Sequence, residues 1–220
     1  MREFSDHVKF LQVKMIKLDP EIRAFNVQVR DGEGTYPRRL YAQLIGRKDA
    51  DGIGDRIFNK LDNWTPSPIY KSTPRYFKPI ADGNRRRKSI EEMAIEANKF
   101  REHFKFNPKF LPHTILKFGK HILDPRQVFF ESKHTYCIVN ISPLAPGHVL
   151  VISKKIVPQI RNLSSEEAND LWNTIVYCGE NMKVIYPWAV GFQIGIQDGR
   201  EASQSVPHVH VHVMPYKLNT

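Results

Sequence analysis

One run near the C-terminal end constrains this chain more than any other: His208-Val209-His210-Val211-His212-Val213-Met214-Pro215. Strict alternation calls for a strand, because successive side chains of a strand point to opposite faces. The valines can then enter a core while the three imidazoles share the other face. Three polar rings buried only as filler would each need hydrogen-bond partners, so a purely structural role accounts poorly for the pattern. Two chemistries remain. Neutral imidazoles are common metal ligands, and a neutral imidazole whose second nitrogen is held by an acceptor is a nucleophile for phosphorus. No thiolate or carboxylate pattern surrounds the strand, which weighs against a metal. Phosphate chemistry is better provided for, with His148 in the turn Pro146-Gly147-His148 and uncharged hydrogen-bonding groups at Gln197, Gln204 and Ser205.

The surrounding pattern is that of an α+β domain. Segments 128–130, 134–141, 148–153, 189–196 and 206–214 read as strands, with Pro143 and Pro146-Gly147 supplying a turn. Ser164 with Glu167 forms a capping box, after which Leu171, Ile175, Cys178 and Met182 recur at helical spacing until Pro187. A five-stranded antiparallel sheet with one long helix on a face is expected. The first half is less regular. Pro66, Pro68, Pro74 and Pro79 make residues 64–80 an extended arm, and Ser89 with Glu92 caps an amphipathic helix over 89–104.

Charge is uneven: of 33 Lys/Arg and 23 Asp/Glu, residues 1–112 hold 23 and 15, and residues 113–220 hold 10 and 8. A basic first half can steer phosphates, RNA or an acidic protein surface. Its sharpest cluster, Arg85-Arg86-Arg87-Lys88, lacks interleaved aromatics and reads as a solvated segment before it reads as a nucleic-acid contact. Cys137 and Cys178 fit neither a zinc spacing nor a disulfide framework, and no apolar stretch is long enough to cross a bilayer. A soluble protein of a reducing compartment is expected, in the cytoplasm or the mitochondrial matrix.

Residues 118–217 resemble the histidine-triad (HIT) superfamily, and most of all its dinucleoside-polyphosphate hydrolase, or fragile-histidine-triad, branch. The matching pieces are Phe118-Gly119-Lys120-His121, Val139-Asn140, Pro146-Gly147-His148-Val149-Leu150-Val151, Gln197-Asp198-Gly199 and Gln204-Ser205-Val206 leading into the histidine strand. The resemblance implies that His210 attacks the α-phosphorus and carries the nucleotidyl group until water releases a nucleoside monophosphate. His212 would lie near the bridging oxygen, with His208 and His148 completing the network. Gln197, Gln204 and Ser205 match phosphate-contacting positions and Asn140 a ribose-side position. Phe118, Leu123 and Ile138 would enclose the purine, or serve as ordinary core. The family takes Mg²⁺ with the substrate phosphates, so no protein-bound cofactor or metal is expected. One departure matters: a basic residue usually follows the triad proline directly, but Tyr216 stands there, ahead of Lys217.

The branch continues past its triad strand with a loop and a final helix, and Ser89-Ile90-Glu91-Glu92-Met93-Ala94 resembles that helix. Further forward, Pro20, Phe25, Asp31 and Gly32 have the spacing of Pro187, Phe192, Asp198 and Gly199. After a two-residue gap, Arg39-Leu40-Tyr41-Ala42-Gln43 takes the place of residues 208–212. The division expected is a degenerate partial HIT-like segment over 1–48, a basic arm and tail-like helix over 49–112, and a HIT domain over 113–220. Residues 22–45 should then form two antiparallel strands. Triad proteins typically pair through one continuous sheet, so a homodimer or an internal pseudo-dimer is implied. Three functions follow: a hydrolase of dinucleoside polyphosphates acting on adenine nucleotides; a structural or nucleotide-sensing subunit of a large assembly, the mitochondrion being one place for it, attached through residues 1–112; and a phosphoramidase of the sister branch, against which stands that branch's usual use of glycines after the triad rather than Met214-Pro215.

Overall fold

A computed structural model describes residues 2–32, 41–49, 84–105 and 115–216. The proline-containing arm at 64–80, most of segment 49–112, and Lys217 lie outside the described residues. The elements in chain order are α1 (Arg2–Leu18), β1 (Ala24–Gly32), β2 (Tyr41–Arg47), α2 (Ile90–Arg101), a short hairpin β3 (Lys117–Phe118) and β4 (His121–Ile122), β5 (Val128–Glu131), β6 (Thr135–Val139), β7 (Val149–Ser153), α3 (Ser165–Ile185), β8 (Gly191–Asp198) and β9 (His210–Tyr216). Both capping boxes form, Ser89 with Glu92 ahead of α2 and Ser164 with Glu167 ahead of α3.

The α+β class is as expected, but the sheet has seven strands, in the order β2-β1-β8-β9-β7-β6-β5, all paired antiparallel. Five come from the second half. The other two are added because β1 pairs with the outer edge of β8, satisfying backbone groups that an edge strand leaves open. A second correction concerns the histidine strand, which begins at His210 rather than at 206. Pro207 has no amide to give a ladder, and the His208 amide turns back to the Val206 carbonyl at 2.7 Å.

All three helices cover one face of the sheet. Val209, Val211 and Val213 join Val149, Val151, Phe129, Leu171, Trp172 and Ile175 in the main core, together with Val8, Phe25, Val27 and Val29 from the first segment and Phe100 and Phe104 from the α2 region. Phe4 of α1 meets Trp172 of α3 edge-on at 4.9 Å, and Phe100 meets Phe129 in the same way. The opposite face carries a smaller apolar cluster of Leu116, Leu123, Val128, Tyr136, Ile138, Leu150 and Ile152, with Phe118 packed against it. The histidines lie on this second face.

The first segment repeats the register of the last. Leu18 and Ile185, which end α1 and α3, are 167 residues apart, as are Ala24 and Gly191, which start β1 and β8. Ala24 pairs with Arg47, and Gly191 pairs with Tyr216, 169 residues beyond Arg47. The offset thus grows by two between the strands, the gap read from the sequence. The seam between β1 and β8 is symmetric under the same offset: Phe25 pairs with Asp198 and Asp31 with Phe192, about a centre at Gln28 and Gly195.

Asp198 fastens this seam. Its carboxylate accepts the Gln12 side-chain amide at 2.8 Å and the Ile160 amide at 2.7 Å, tying α1 to the end of β8. Burial pushes its carboxyl up to about 6, from an ordinary 3.8. Between those values the folded protein holds a proton that the unfolded chain has released, so this group lowers stability as pH rises through the window, by about 3 kcal/mol in all. Asp198→Asn should remove the effect. Denaturant unfolding at pH 4 and pH 7 is expected to show the variant gaining about 2 kcal/mol on the wild type between the two conditions, the part of the window that lies above pH 4; a pH-independent difference would contradict the assignment.

Candidate active site

The histidine cluster is organised by partners that dictate each ring's proton. The Gly119 amide donates to His208 Nδ1 at 2.9 Å, so the His208 proton is on Nε2, where it meets the Ser153 carbonyl at 2.6 Å. Both nitrogens of His208 are occupied by backbone, and this ring anchors the site. His210 Nδ1 lies 2.7 Å from the His208 carbonyl, which can only accept. The proton is therefore on Nδ1, and neutral His210 carries its lone pair on Nε2. His148 Nδ1 accepts the Leu144 amide at 2.9 Å, so its Nε2 donates to His212 Nδ1, also at 2.9 Å. Neutral His212 then carries its proton on Nε2. An acceptor nitrogen and a donor N–H thus sit on neighbouring rings whose centroids are 5.2 Å apart.

Electrostatics hold His148, His208 and His212 neutral. Burial, then the neighbouring His212, Arg85, Lys88 and His210, depress His148 well below the usual histidine value. Burial and then Arg85 bring His212 down to about 4, and burial lowers His208. All three are uncharged at neutral pH, as the tautomer chain requires.

The other candidates are placed as follows. Asn140 is buried beside His148, its amide nitrogen 3.1 Å from Nε2 and its oxygen accepting the Ser142 amide at 2.9 Å. Gln197 is buried on β8, and alternation with Ile196, which enters the main core, puts it on the histidine face. Gln204 is half-buried and donates to the Pro158 carbonyl at 2.8 Å, while Ser205 is exposed. Phe118 stands edge-on to His210 at 4.9 Å and continues into the cluster holding Leu123 and Ile138. Gly147, in the turn before His148, has φ +76°, and a Cβ there would come within 2.8 Å of both Tyr186 and Pro215. Among the described residues, no group of three or more His, Cys, Asp or Glu is arranged to hold a metal.

Several contributors carried no role in the sequence reading. Gly119 belongs to the Phe-Gly-Lys-His piece, but nothing local shows that its amide meets His208; its φ of +59° turns the amide there. Ser153 and Leu144 act through backbone groups, which side-chain identity does not disclose. The basic run is not simply solvated. Arg86 pairs with Glu92 and Lys88 with Glu96, while the Lys88 amide donates to the Ile141 carbonyl at 2.8 Å.

The fold and site define a class: an antiparallel sheet backed by helices on one face, presenting backbone-anchored imidazoles beside a small apolar cluster on the other. Residues 123–218 match the HIT domain family. The chain is 36% identical over 104 residues to the bis(5'-adenosyl)-triphosphatase of Dictyostelium discoideum, a match covering 47% of this chain and 69% of that protein. It is 41% identical over 100 residues to the bifunctional bis(5'-adenosyl)-triphosphatase/adenylylsulfatase FHIT of Arabidopsis thaliana, covering 46% of this chain and 55% of that one. A crystal structure of the Plasmodium falciparum diadenosine triphosphate hydrolase with cyclomarin A aligns over 55% of this chain and 83% of that chain, at 32% identity and a TM-score of 0.47. The chain belongs to the HIT family. It spans little more than half the length of the Arabidopsis relative.

Proposed function

We propose that the chain hydrolyses dinucleoside polyphosphates such as diadenosine triphosphate through a nucleotidyl intermediate on His210. The observation carrying this reading is the His210 Nδ1–H bond to the His208 carbonyl, which puts the lone pair on Nε2. Nε2 attacks the α-phosphorus; the P–N bond forms as the P–O bond to the leaving nucleoside diphosphate breaks. His212 Nε2–H faces the bridging oxygen and stabilises the charge developing there. Water then attacks the phosphorus, the P–N bond breaks, and the monophosphate leaves. Gln197, Gln204 and Ser205 contact phosphate oxygens, Gln204 while bracing the loop before β9. Asn140 serves the ribose side, and Phe118, Leu123 and Ile138 enclose the purine. Mg²⁺ arrives with the substrate phosphates rather than in a protein cage. Incubating the purified protein with diadenosine triphosphate and Mg²⁺ should release AMP and ADP in equal amounts; no nucleotide release would overturn the proposal.

Residues 1–48 are read as a degenerate partial copy of the same domain, supported by the matching helix ends and strand registers. Tyr41 takes the place of His210, so this copy lacks the nucleophile. Its β1 occupies the β8 edge as an internal pseudo-partner, in place of a homodimer. A second reading, a nucleotide-sensing subunit of a larger and mitochondrial assembly, draws support from Phe10, Leu11 and Val13, which leave α1 with exposed apolar side chains. The buried free thiols of Cys137 and Cys178 suit a reducing cytoplasm or matrix under either reading.

A further inference from the structure

We propose that Gly195 floors a cradle for the first phosphate of the leaving nucleotide, with Gln28 and Gln193 supplying two of its walls. The choice of substrate rests on the hydrolase reading, although the test does not require turnover.

The cradle follows from the strand registers. Val27, Val29, Ile194 and Ile196 enter the main core, so Gln28, Gln193, Gly195 and Gln197 lie on the opposite face, with the histidines. Across the strands Gly195 stands directly between His212 of β9 and Gln28 of β1, and along β8 it stands between Gln193 and Gln197. A residue without a side chain is thus ringed by three amides and an imidazole, all four buried. The backbone gives no reason for glycine here. Gly119, Gly147 and Gly199 have positive φ, whereas Gly195 lies inside a regular antiparallel ladder.

One row gives the cradle its direction. Val128, Ile138, Leu150, His212, Gly195 and Gln28 are successive partners across six strands. Before His212 the row is apolar and belongs to the cluster assigned to the purine; beyond His212 it is a glycine and then an amide. With the transferred nucleoside on the apolar side and His212 facing the bridging oxygen, the leaving phosphates run over Gly195, one strand spacing or about 4.8 Å further on. Uncharged amides suit a group that must depart, since they donate to phosphate oxygens without holding them as a cation does.

The fold does not use up these amides. Asn26, the next polar residue of β1 on this face, is engaged at both ends: its nitrogen donates to the Ala202 carbonyl at 3.2 Å, and its oxygen accepts from Arg47 at 3.1 Å. Gln193 is 2% exposed, and its Nε2 has no hydrogen-bond partner among the described residues. A buried donor left unpaired is unfavourable, and an anion resting on Gly195 satisfies it. Gln28 comes from the amino-terminal segment, which therefore completes the site as well as closing the β8 edge.

The test is binding to the full chain, measured by calorimetry with two probes: AMP, and a methylene-bridged, non-hydrolysable analogue of diadenosine triphosphate. Gln193→Met, which keeps the volume and removes the amide, should weaken the dinucleotide roughly 10-fold or more, the effect of one hydrogen bond to a charged group, and alter AMP affinity less than about twofold. Gln28→Met should act in the same direction on the same probe. A merely structural Gln193 would show itself in stability instead. Because its donor is unpaired in the free protein, Gln193→Met should unfold in urea at or above the wild-type midpoint. Equal weakening of both probes, failure of either substitution to weaken the dinucleotide, a lowered urea midpoint for Gln193→Met, or a wild type that binds no dinucleotide would each overturn the cradle. Turnover separates the two readings. Substitutions without effect on a wild type that does release AMP overturn the cradle alone, whereas a wild type with the expected binding pattern that releases no AMP overturns the hydrolase reading and leaves the cradle in place.

Discussion

Replacing His210 with alanine is expected to lower kcat for diadenosine triphosphate by roughly 10⁴-fold or more, the scale seen when a covalent nucleophile is removed, while a non-hydrolysable analogue still binds. The reasoning is geometric. The His208 carbonyl fixes the His210 proton on Nδ1, and the other two triad rings are committed elsewhere, His208 to Gly119 and Ser153 and His212 to His148. No neighbouring imidazole can take over by a simple rotation. On the proposed mechanism, ground-state affinity comes from phosphate contacts and from the apolar cluster against which Phe118 packs, neither of which the substitution deletes. Stopped-assay turnover alongside analogue binding checks this, and undiminished turnover in a folded variant would remove His210 from the chemistry. A nucleoside monophosphate seen in a structure with its phosphate away from His210 would count against it equally.

The second large effect concerns the amino-terminal segment. Phe25→Ala should cost about 3–5 kcal/mol, the usual range for a fully buried phenylalanine, which is a large part of the 5–15 kcal/mol that holds an ordinary domain. Deleting residues 1–48 should go further and leave no cooperatively folded protein. It would strip Val8, Phe25, Val27 and Val29 from the main core, cut the Gln12 and Asp198 tie, and open the β8 edge to pairing with other chains. Urea unfolding of the point variant and size-exclusion behaviour of the truncated chain measure the two effects. If the truncated chain unfolds cooperatively near the full-length midpoint, residues 1–48 are an attachment module and not an internal partner.

The basic run shows why local reading has a limit. Four consecutive cations look alike in sequence, yet their fates diverge because Glu92 and Glu96 lie one and two turns into the helix that follows, and because the Ile141 carbonyl lies on a different part of the sheet. The spacing of Glu92 and Glu96 was readable. The approach to Ile141 was not, since it depends on where α2 lands across the end of β5 and β6. His208 makes the same point from the other direction. Alternation assigned it to the strand with His210 and His212, but Pro207 ends the ladder and frees the ring to be held by Gly119 and Ser153.

What the sequence determined alone was periodicity and punctuation. The alternation of histidine and valine, the two capping boxes, the proline-glycine turn before His148 and the paired spacings around Phe25 and Phe192 are all written in short segments; the capping boxes form where expected, and the alternation holds as strand from His210 on. The tertiary structure decided which nitrogen of each imidazole holds its proton, which cations of the basic run pair with Glu92 and Glu96, and that β1 closes the edge of β8. These depend on partners 55 to 89 residues away for His208 and 64 for His212. A hydrogen bond or a buried charge responds to the atom that packing brings within about 3 Å, and packing is settled only when the whole sheet and its helices are assembled.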